Sequence, residues 1–461
     1  MSEQTAPRQI INEQMNDQTF IERLRARNRR GKVGQVFFFA ANIIALLTLI
    51  ALIVHVLNQS MGLVIVRNSI EPATLSDRPL QELSEAELVN ILIEQQPGRL
   101  RVMIRDKFSQ VPTDQFTTAP LHQVLAGINY PEAMADASIN DLSLEQQAAV
   151  LSDNLNQGDI YDLVVEQVIQ PKVITSWTLL DSILEREAIE AEAAEKYADD
   201  SLEFRSWISW DFISSSVSSS ATTAGLRTAL LGSFWIITIT AITVLVVGVA
   251  AAVYLEEYAT GGNAIEQLIE INIRNLAAIP SVIYGMLGLA VFVRALGDVT
   301  SGAALGVTDT NGRTVLSAGL TLALLILPLL IVNAQEAIRA VPSSIREASY
   351  GLGATKWQTT WRQVLPAALP GILTGVILSL SRAIGETAPL LVVGASTFIG
   401  IDPNGPFSKF TVVPIQIYQW TSRPELVFKN VAAAAIIILL VVMVLMNASA
   451  IILRNRMSRR Y

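Results

Sequence analysis

The sequence contains no cysteine and only two histidines among its 461 residues. Without cysteine there can be no disulfide, no thiolate nucleophile and no cysteine-ligated metal. His55 and His122 are far apart, and neither belongs to a metal-ligand spacing or a Ser/His/Asp arrangement. No Walker-type phosphate loop occurs, so the chain does not itself supply an ATP site. We therefore expect no catalytic residue, no metal site and no cofactor bound by this chain.

Charged residues are also scarce. They make up 16% of the chain, against 51% hydrophobic residues, and the mean hydropathy is positive. This balance is too apolar for an ordinary soluble protein. The charges are unevenly placed, because residues 60–224 hold 26 acidic and 10 basic residues, whereas the remainder holds 15 acidic and 23 basic ones. An acidic block inside a basic membrane protein indicates two compartments.

Long apolar runs predict an all-α membrane protein with six transmembrane helices. The predicted spans are 36–57, 228–254, 277–293, 314–333, 366–394 and 431–453. Arginine clusters flank the first and last spans, in 23–32 and 454–460. Beside a span, the positive-inside rule explains such clusters more simply than nucleic-acid binding does, so both termini should be cytoplasmic.

These features divide the chain into parts. They are a basic cytoplasmic segment at 1–33, a first span at 34–59, an acidic extracytoplasmic insertion at 60–224, a five-span core at 225–455, and a basic cytoplasmic tail at 456–461. Helical spacing predicts a mostly helical insertion, with an exposed helix over 182–196, while 160–169 could be strand or helix. Trp207 and Trp210 fit an aromatic belt at the membrane interface.

The polar loop 339–368, between the fourth and fifth spans, is predicted to be a helix–turn–helix. Ser344 and Glu347 have the spacing of a capping box, so the first helix should start there. Gly351 and Gly353 should end it.

The second helix of this loop is predicted over 355–365. Trp357, Trp361 and Leu365 lie at i, i+4 and i+8 and form one apolar stripe. The Leu365–Pro366 step should end this helix. A surface helix packed on its own protein would explain the same pattern.

The fifth span contains a stripe of small residues. Gly371, Gly375, Ser379 and Ala383 recur every four residues. Such a stripe lets another helix approach closely. Packing inside this subunit and an interface with another subunit fit it equally well.

The same span contains charge. Arg382 and Glu386 lie at i, i+4 and can pair on one helical face. Each would cost about 2.5–3.5 kcal/mol at the centre of a membrane helix, so both should face a partner or a wet cavity. Gly385 and Pro389 should loosen the helix there. The pair could be purely structural, or it could line an anion pathway.

Two stretches resemble a known family. Glu347-Ala348-Ser349, Gly353 and Leu365-Pro366 resemble the cytoplasmic EAA loop of ABC importer permeases, with departures at Ser349 and Gln363. The string RAIGETAPLL, residues 382–391, resembles the fifth span of the phosphate importer permease family of the PstA type.

The resemblance implies a type I ABC importer permease fold and a role for named residues. The loop would dock into the ATPase subunits through Glu347, Ala348, Ser349, Gly353, Trp357, Trp361, Leu365 and Pro366. The substrate pathway would include Arg382, Glu386 and Thr387. The implied partners are a second, PstC-like permease subunit, a dimer of PstB-like ATP-binding subunits, a PstS-like extracytoplasmic phosphate-binding protein and membrane lipids, in the plasma (inner) membrane.

Other functions stay open on the sequence. A permease of the same fold for another oxyanion or a small solute would have the same loop. A membrane sensor could use the external insertion to bind a ligand. An intramembrane enzyme is disfavoured, because Arg382 and Glu386 have no nucleophile or metal beside them.

Overall fold

The computed structural model describes residues 18–458 except 110, 112, 126–127, 199, 219, 260–262, 307–311, 396–398 and 400. The predicted basic ends at 1–33 and 456–461 therefore lie partly outside the described residues. The chain forms two compact units, Met1–Asn58 and Gln59–Tyr461.

The described residues of the first unit belong to one helix. Helix α1 (Gln18–Gln59) is apolar from Gly34 onward, and its apolar side chains are exposed. Its polar residues bond to the helix itself, since Asn42 donates to the carbonyl of Phe38 at 3.0 Å and Thr48 to that of Ile44 at 2.9 Å. A helix that satisfies its own polar groups is suited to lipid.

The second unit begins with a sheet that the sequence analysis did not predict. Strand β1 (Met61–Arg67) lies between β2 (Lys172–Ser176) and β3 (Ser201–Ser206), and both pairings are antiparallel. Five consecutive residues of β1, at 62–66, are buried. The apolar residues of β1 follow a membrane span directly, and no change in hydrophobic periodicity marks where the span ends. The strand was therefore not predicted.

The rest of the 60–224 insertion is mostly helical, as predicted. Its α-helices among the described residues are α2 (Pro72–Leu75), α3 (Glu85–Gln95), α4 (Leu100–Phe108), α5 (Thr113–Thr118), α6 (Leu121–Val124), α7 (Leu144–Ser152), α8 (Gln157–Val164), α9 (Leu179–Leu184), α10 (Arg186–Lys196) and α11 (Trp210–Ser214). Its other helical turns are the π-helix Val165–Ile169 and the 3-10 turns Leu80–Glu82, Pro97–Arg99, Glu132–Met134 and Ile139–Asp141. Capping boxes at Ser84 and Ser143 start α3 and α7. Their apolar faces pack into one core with Leu88, Leu100 and Leu151 at its centre.

The segment 160–169, for which strand and helix were both open, is helical. Two expectations for the insertion need revision. The predicted exposed helix over 182–196 is two helices divided at Glu185, and Ser182 is buried, where it accepts a hydrogen bond from the backbone N–H of Leu63 at 2.8 Å. Trp207 is buried in the core rather than in an interfacial belt, whereas Trp210 is exposed.

The remaining helices form the membrane core. They are α12 (Arg227–Val253), α13 (Ala264–Leu276), α14 (Ser281–Gly288), α15 (Gly297–Thr300), α16 (Val315–Arg339), α17 (Ser343–Gly351), α18 (Lys356–Thr359), α19 (Leu365–Gly385), α20 (Ala388–Val393), α21 (Val413–Ser422) and α22 (Val427–Ser458). The π-helices Tyr254–Tyr258, Leu289–Ala295 and Thr360–Val364 extend α12, α14 and α18, and Ala303–Leu305 is a 3-10 turn.

Five helices of the described chain are long and apolar enough to cross a membrane, which makes this a multi-pass membrane protein. A sixth span results if the pair Ala264–Leu276 and Ser281–Ala295 is counted as one. These two helices meet at 111°. The break lies at 277–280, so the span predicted over 277–293 corresponds to the single helical run Ser281–Ala295, which begins directly after Pro280.

Helix α16, the fourth span, is the centre of the core. It carries Pro328 in its interior and is mostly buried. Glycines bring its neighbours close: a Cβ on Gly248 of α12 would lie 3.0 Å from a Leu330 methyl, and one on Gly288 of α14 would lie 2.1 Å from Thr321 Oγ1. Elements packed this closely transmit displacement to one another.

Candidate functional site

The first helix of the 339–368 loop, α17, begins at Ser343. The predicted capping box of Ser344 and Glu347 is wrong, since no side chain caps this helix. Pro342 stands at the N-cap, so Ser344 is already the second helical residue and cannot accept from the N–H three residues on. Glu347 and Ala348 are exposed.

Gly353 turns the chain between the two helices of the loop. Its φ of +80° lies in the left-handed region that favours glycine. The N–H of Ala354 donates to the carbonyl of Ser349 at 3.1 Å, which closes the turn. Ser349 Oγ and Thr359 Oγ1 are 2.8 Å apart, so a hydroxyl pair joins the two helices.

The second helix of the loop starts at a capping box formed by Thr355 and Gln358. It does not end at Leu365–Pro366 as predicted, but continues into the fifth span as one helical run, Lys356–Gly385. Pro366 lies within this run, directly after the π-helix Thr360–Val364, where the regular hydrogen-bond pattern of the α-helix is already interrupted. The loop and the fifth span are therefore mechanically continuous.

The loop presents an exposed aromatic surface. Trp357 and Trp361 stack with ring centroids 5.5 Å apart and planes 11° apart. Exposed fractions are 61% for Trp357, 58% for Trp361 and 90% for Leu352. Between the helices lies a depression of about 550 Å³, whose lining includes Ala348, Ser349, Leu352, Gly353 and Arg362.

The opposite side of the loop is tied to the end of α12. Arg346 donates to Glu257 Oε1 from Nη2 at 2.7 Å and from Nε at 3.1 Å. Arg339 pairs with Glu256. The sequence analysis did not identify this arrangement. The adjacent acids at 256–257 and the arginine directly before Glu347 were the available signal.

The small-residue stripe of the fifth span packs inside this chain. A Cβ on Gly371 would lie 2.7 Å from Ala337 Cβ, and one on Gly375 would lie 2.7 Å from Asn333 Cβ, both on α16. Ser379 and Ala383, further along the stripe, are buried. Of the two alternatives for the stripe, the structure favours packing within the subunit.

Arg382 and Glu386 stand where the fifth span breaks. Helix α19 ends at Gly385, Glu386 is extended, and α20 begins at Ala388 after a half-buried Thr387. Arg382 Nε lies 3.4 Å from Glu386 Oε1, a long contact. The Arg382 side chain is 49% exposed and that of Glu386 19%. Pro389 holds the break in place, because a Cβ on Gly285 of α14 would lie 2.7 Å from its Cα.

The geometry thus provides a cation and a carboxylate at a break in a membrane helix, joined by one helical run to an exposed aromatic surface. A protein-family model described as "Binding-protein-dependent transport system inner membrane component" matches residues 245–460. That segment contains both features.

Two similar proteins are permeases by name. The "Probable ABC transporter permease protein YqgI" of Bacillus subtilis (strain 168) is 33% identical over 216 residues, 46% of this chain and 68% of that protein. The "Phosphate transport system permease protein PstA 1" of Mycobacterium tuberculosis (strain CDC 1551 / Oshkosh) is 33% identical over 202 residues, 44% of this chain and 61% of that protein. The chain therefore spans about three fifths of the length of this second relative.

Among solved structures, one chain of the methionine ABC transporter MetNI in an inward facing conformation matches with a TM-score of 0.37 and 18% identity. The match covers 50% of this chain and 97% of that one. The assignment rests on YqgI, 68% of whose length is matched: the chain belongs to the family of ABC transporter permease proteins, and its segment 245–460 matches the model for binding-protein-dependent transport system inner membrane components.

Proposed function

We propose that this chain is a transmembrane permease subunit of an ATP-driven phosphate importer. It forms half of the translocation pathway and couples that pathway to ATPase subunits in the cytoplasm. The choice of phosphate as the substrate rests on the similarity to permeases named for phosphate transport, at 33% identity in one and 34% in another. The observations that support the mechanism are the exposed loop and the half-exposed ion pair.

The loop surface supports docking to a protein. The loop exposes the stacked Trp357 and Trp361 and a projecting Leu352, together with the charged Arg362. Exposed tryptophans inside a polar rim are typical of residues that dominate binding at protein interfaces. The depression beside Ala348 and Gly353 has room for side chains of a partner. The proposed occupant of this surface is a PstB-like ATPase subunit, on which ATP is hydrolysed.

The ion pair supports an anion pathway. A guanidinium carries five N–H donors and binds phosphate oxygens in pairs. The 3.4 Å contact with Glu386 occupies Arg382 only weakly, and half of the side chain is exposed. The Glu386 carboxylate can accept a hydrogen bond from the P–OH group of hydrogen phosphate, and Thr387 adds a hydroxyl. In this proposal, movement of the loop exposes the pair first to one side and then to the other.

The remaining partners and the orientation belong to the same proposal. A PstC-like permease forms the other half of the pathway, and a PstS-like protein delivers phosphate from outside. The protein lies in the plasma membrane. Both of its termini lie in the cytoplasm, and the 60–224 insertion lies on the outer side. The chain itself carries no cofactor.

Radiolabelled phosphate uptake into proteoliposomes tests the substrate. The vesicles hold the complete transporter, with binding protein outside and ATP inside. Arg382→Ala should abolish uptake, whereas Arg186→Ala, which removes an exposed i,i+4 pair with Glu190, should not. Uptake of another oxyanion instead of phosphate would overturn the assignment of phosphate as the substrate. Normal uptake by Arg382→Ala would overturn the pathway role.

A pair of glycine variants tests the loop. No atom would contact a Cβ at Gly351 or Gly353, but only Gly353 has a positive φ. Gly353→Ala should therefore distort the loop and reduce both uptake and binding of the ATPase, while Gly351→Ala should not. Equal behaviour of the two variants would contradict docking through this turn.

A further inference from the structure

Three consecutive residues at the end of the second span (Arg227–Tyr258) each contact a cation from a different part of the 339–368 loop. The pairs are Glu256 with Arg339, Glu257 with Arg346, and the ring of Tyr258 with the Lys356 ammonium, 5.3 Å from its centroid. The cations belong to the end of α16, to α17 and to α18 respectively. We call these contacts the clasp.

Arg346 is the centre of the clasp. Besides its two bonds to Glu257, it donates to the carbonyl of Ile338 at 3.0 Å and to that of Val341 at 2.8 Å. These carbonyls lie at and just beyond the end of the fourth span, where the Ile338 carbonyl also accepts from the N–H of Val341 at 3.2 Å. One guanidinium therefore joins the loop, the fourth span and the second span.

Burial makes the central contact hard to open. The Glu257 side chain is 5% exposed and that of Arg346 21%. A buried carboxylate that loses its partner keeps its desolvation penalty, so breaking such a pair is far less favourable than breaking an exposed one. Separation of α17 from residue 257 is thus opposed, and the two should move together.

The backbone at this point is also unusual. Tyr254–Tyr258 is a π-helix, in which one extra residue is accommodated in a single turn. Such segments occur often at functional sites. In this segment three successive side chains contact three different parts of the loop.

We propose that the clasp is the point at which a displacement of the 339–368 loop enters the second span. This inference rests on the proposed function. Glu257 and Arg346 are positioning residues in it, since neither touches substrate. The direct run from the loop into the fifth span moves one helix, and the clasp moves a second helix with it, so that two walls of the pathway shift together.

A distance measurement in the assembled transporter tests this directly. Because the chain has no cysteine, spin labels can be placed at Ile242→Cys in the second span and Leu378→Cys in the fifth, both exposed sites. The distance is measured without nucleotide and after trapping with ATP and vanadate. In the otherwise unmodified chain the two spans move together, so the distance should change little; Arg346→Met leaves the second span behind and should enlarge the change.

Further variants separate coupling from simple stability. Arg346→Lys keeps a cation beside Glu257 and should bring the distance change back towards that of the unmodified chain. Glu270→Gln, which removes an exposed i,i+4 pair with Arg274, should have no effect. Should Arg346→Met fail to assemble, Arg339→Gln weakens the exposed part of the clasp and should alter the change to a smaller degree.

Transport and hydrolysis provide the second readout. Phosphate moved per ATP hydrolysed should fall at least about tenfold in Arg346→Met, while hydrolysis persists, because a broken buried pair exceeds the free energy of a tenfold change. A normal distance change in Arg346→Met, or uptake and hydrolysis that fall in proportion in that variant, would overturn the proposed role of the clasp. Absence of phosphate uptake in the unmodified transporter would overturn the substrate instead, and the distance change would still report on the clasp.

Discussion

Replacement of Gly375 by alanine should loosen the contact between the fourth and fifth spans. The new Cβ would lie 2.7 Å from Asn333 Cβ. Carbon atoms pack favourably at about 3.5–4.0 Å, so one of the helices must move by about 1 Å. Overpacking of this kind costs about 1–3 kcal/mol. The gain in helix propensity from glycine to alanine returns about 0.5–1 kcal/mol.

Gly385, the last residue of the same helix, is the control. No atom would contact a Cβ there. Gly385→Ala therefore has no clash and a smaller propensity gain than an interior site, and its free energy of unfolding should equal or slightly exceed that of the unmodified chain. The expected difference between the variants is about 1–3 kcal/mol in the free energy of unfolding.

Thermal unfolding of the isolated chain in detergent, followed by tryptophan fluorescence, measures this difference. Gly375→Ala should melt a few degrees below the unmodified chain, and Gly385→Ala at or above it. Equal melting temperatures would refute the packing of this stripe on α16. A defect of Gly375→Ala seen only in the assembled transporter would show that the stripe faces another subunit.

Asp162→Asn should raise the melting temperature near pH 7 but not near pH 4. Burial raises the pKa of Asp162, so the ionised carboxylate destabilises the fold. This penalty is absent below the ordinary pKa of about 4 and grows as pH rises through the pKa of the folded state. Equal gains in melting temperature at both pH values would contradict this effect of ionisation. Thr314→Ala removes the buried cap of the fourth span, which bonds the N–H of Ser317, and should cost about 1–2 kcal/mol in the same assay; an unchanged melting temperature would refute this. Ser381 and Asn447 join the fifth and sixth spans through a 2.6 Å hydrogen bond, and a double-mutant cycle with alanine should give a coupling of about 0.6 kcal/mol. A coupling of zero would mean that the bond contributes nothing.

Features encoded in neighbouring residues were predictable. Apolar runs indicated the spans, and the spacing of Trp357 and Trp361 indicated one stripe, which the structure shows as stacked rings. The left-handed turn at Gly353 also followed from residue type. In each case the residues that cause the structure are within a few positions of one another.

Features that depend on residues far apart in the sequence were not predictable. Arg346 and Glu257 are 89 positions apart, and nothing beside either one specifies the other. The capping box at Ser344 was a correct local pattern defeated by where Pro342 starts the helix. Pro366 looked like a helix end, but the π-helix before it made the break unnecessary.

The central position of strand β1 has a consequence for synthesis. Its partners come much later in the chain, with Val64 opposite Ser176 and Ile65 opposite Leu202. The ribosome must therefore add well over a hundred residues before both edges of this apolar strand are covered. Pairings over such separations form slowly, and an uncovered apolar edge invites association with other chains. A nascent chain that stalls before β3 would carry β1 with one edge open, a species that quality-control proteases and chaperones recognise by its exposed backbone.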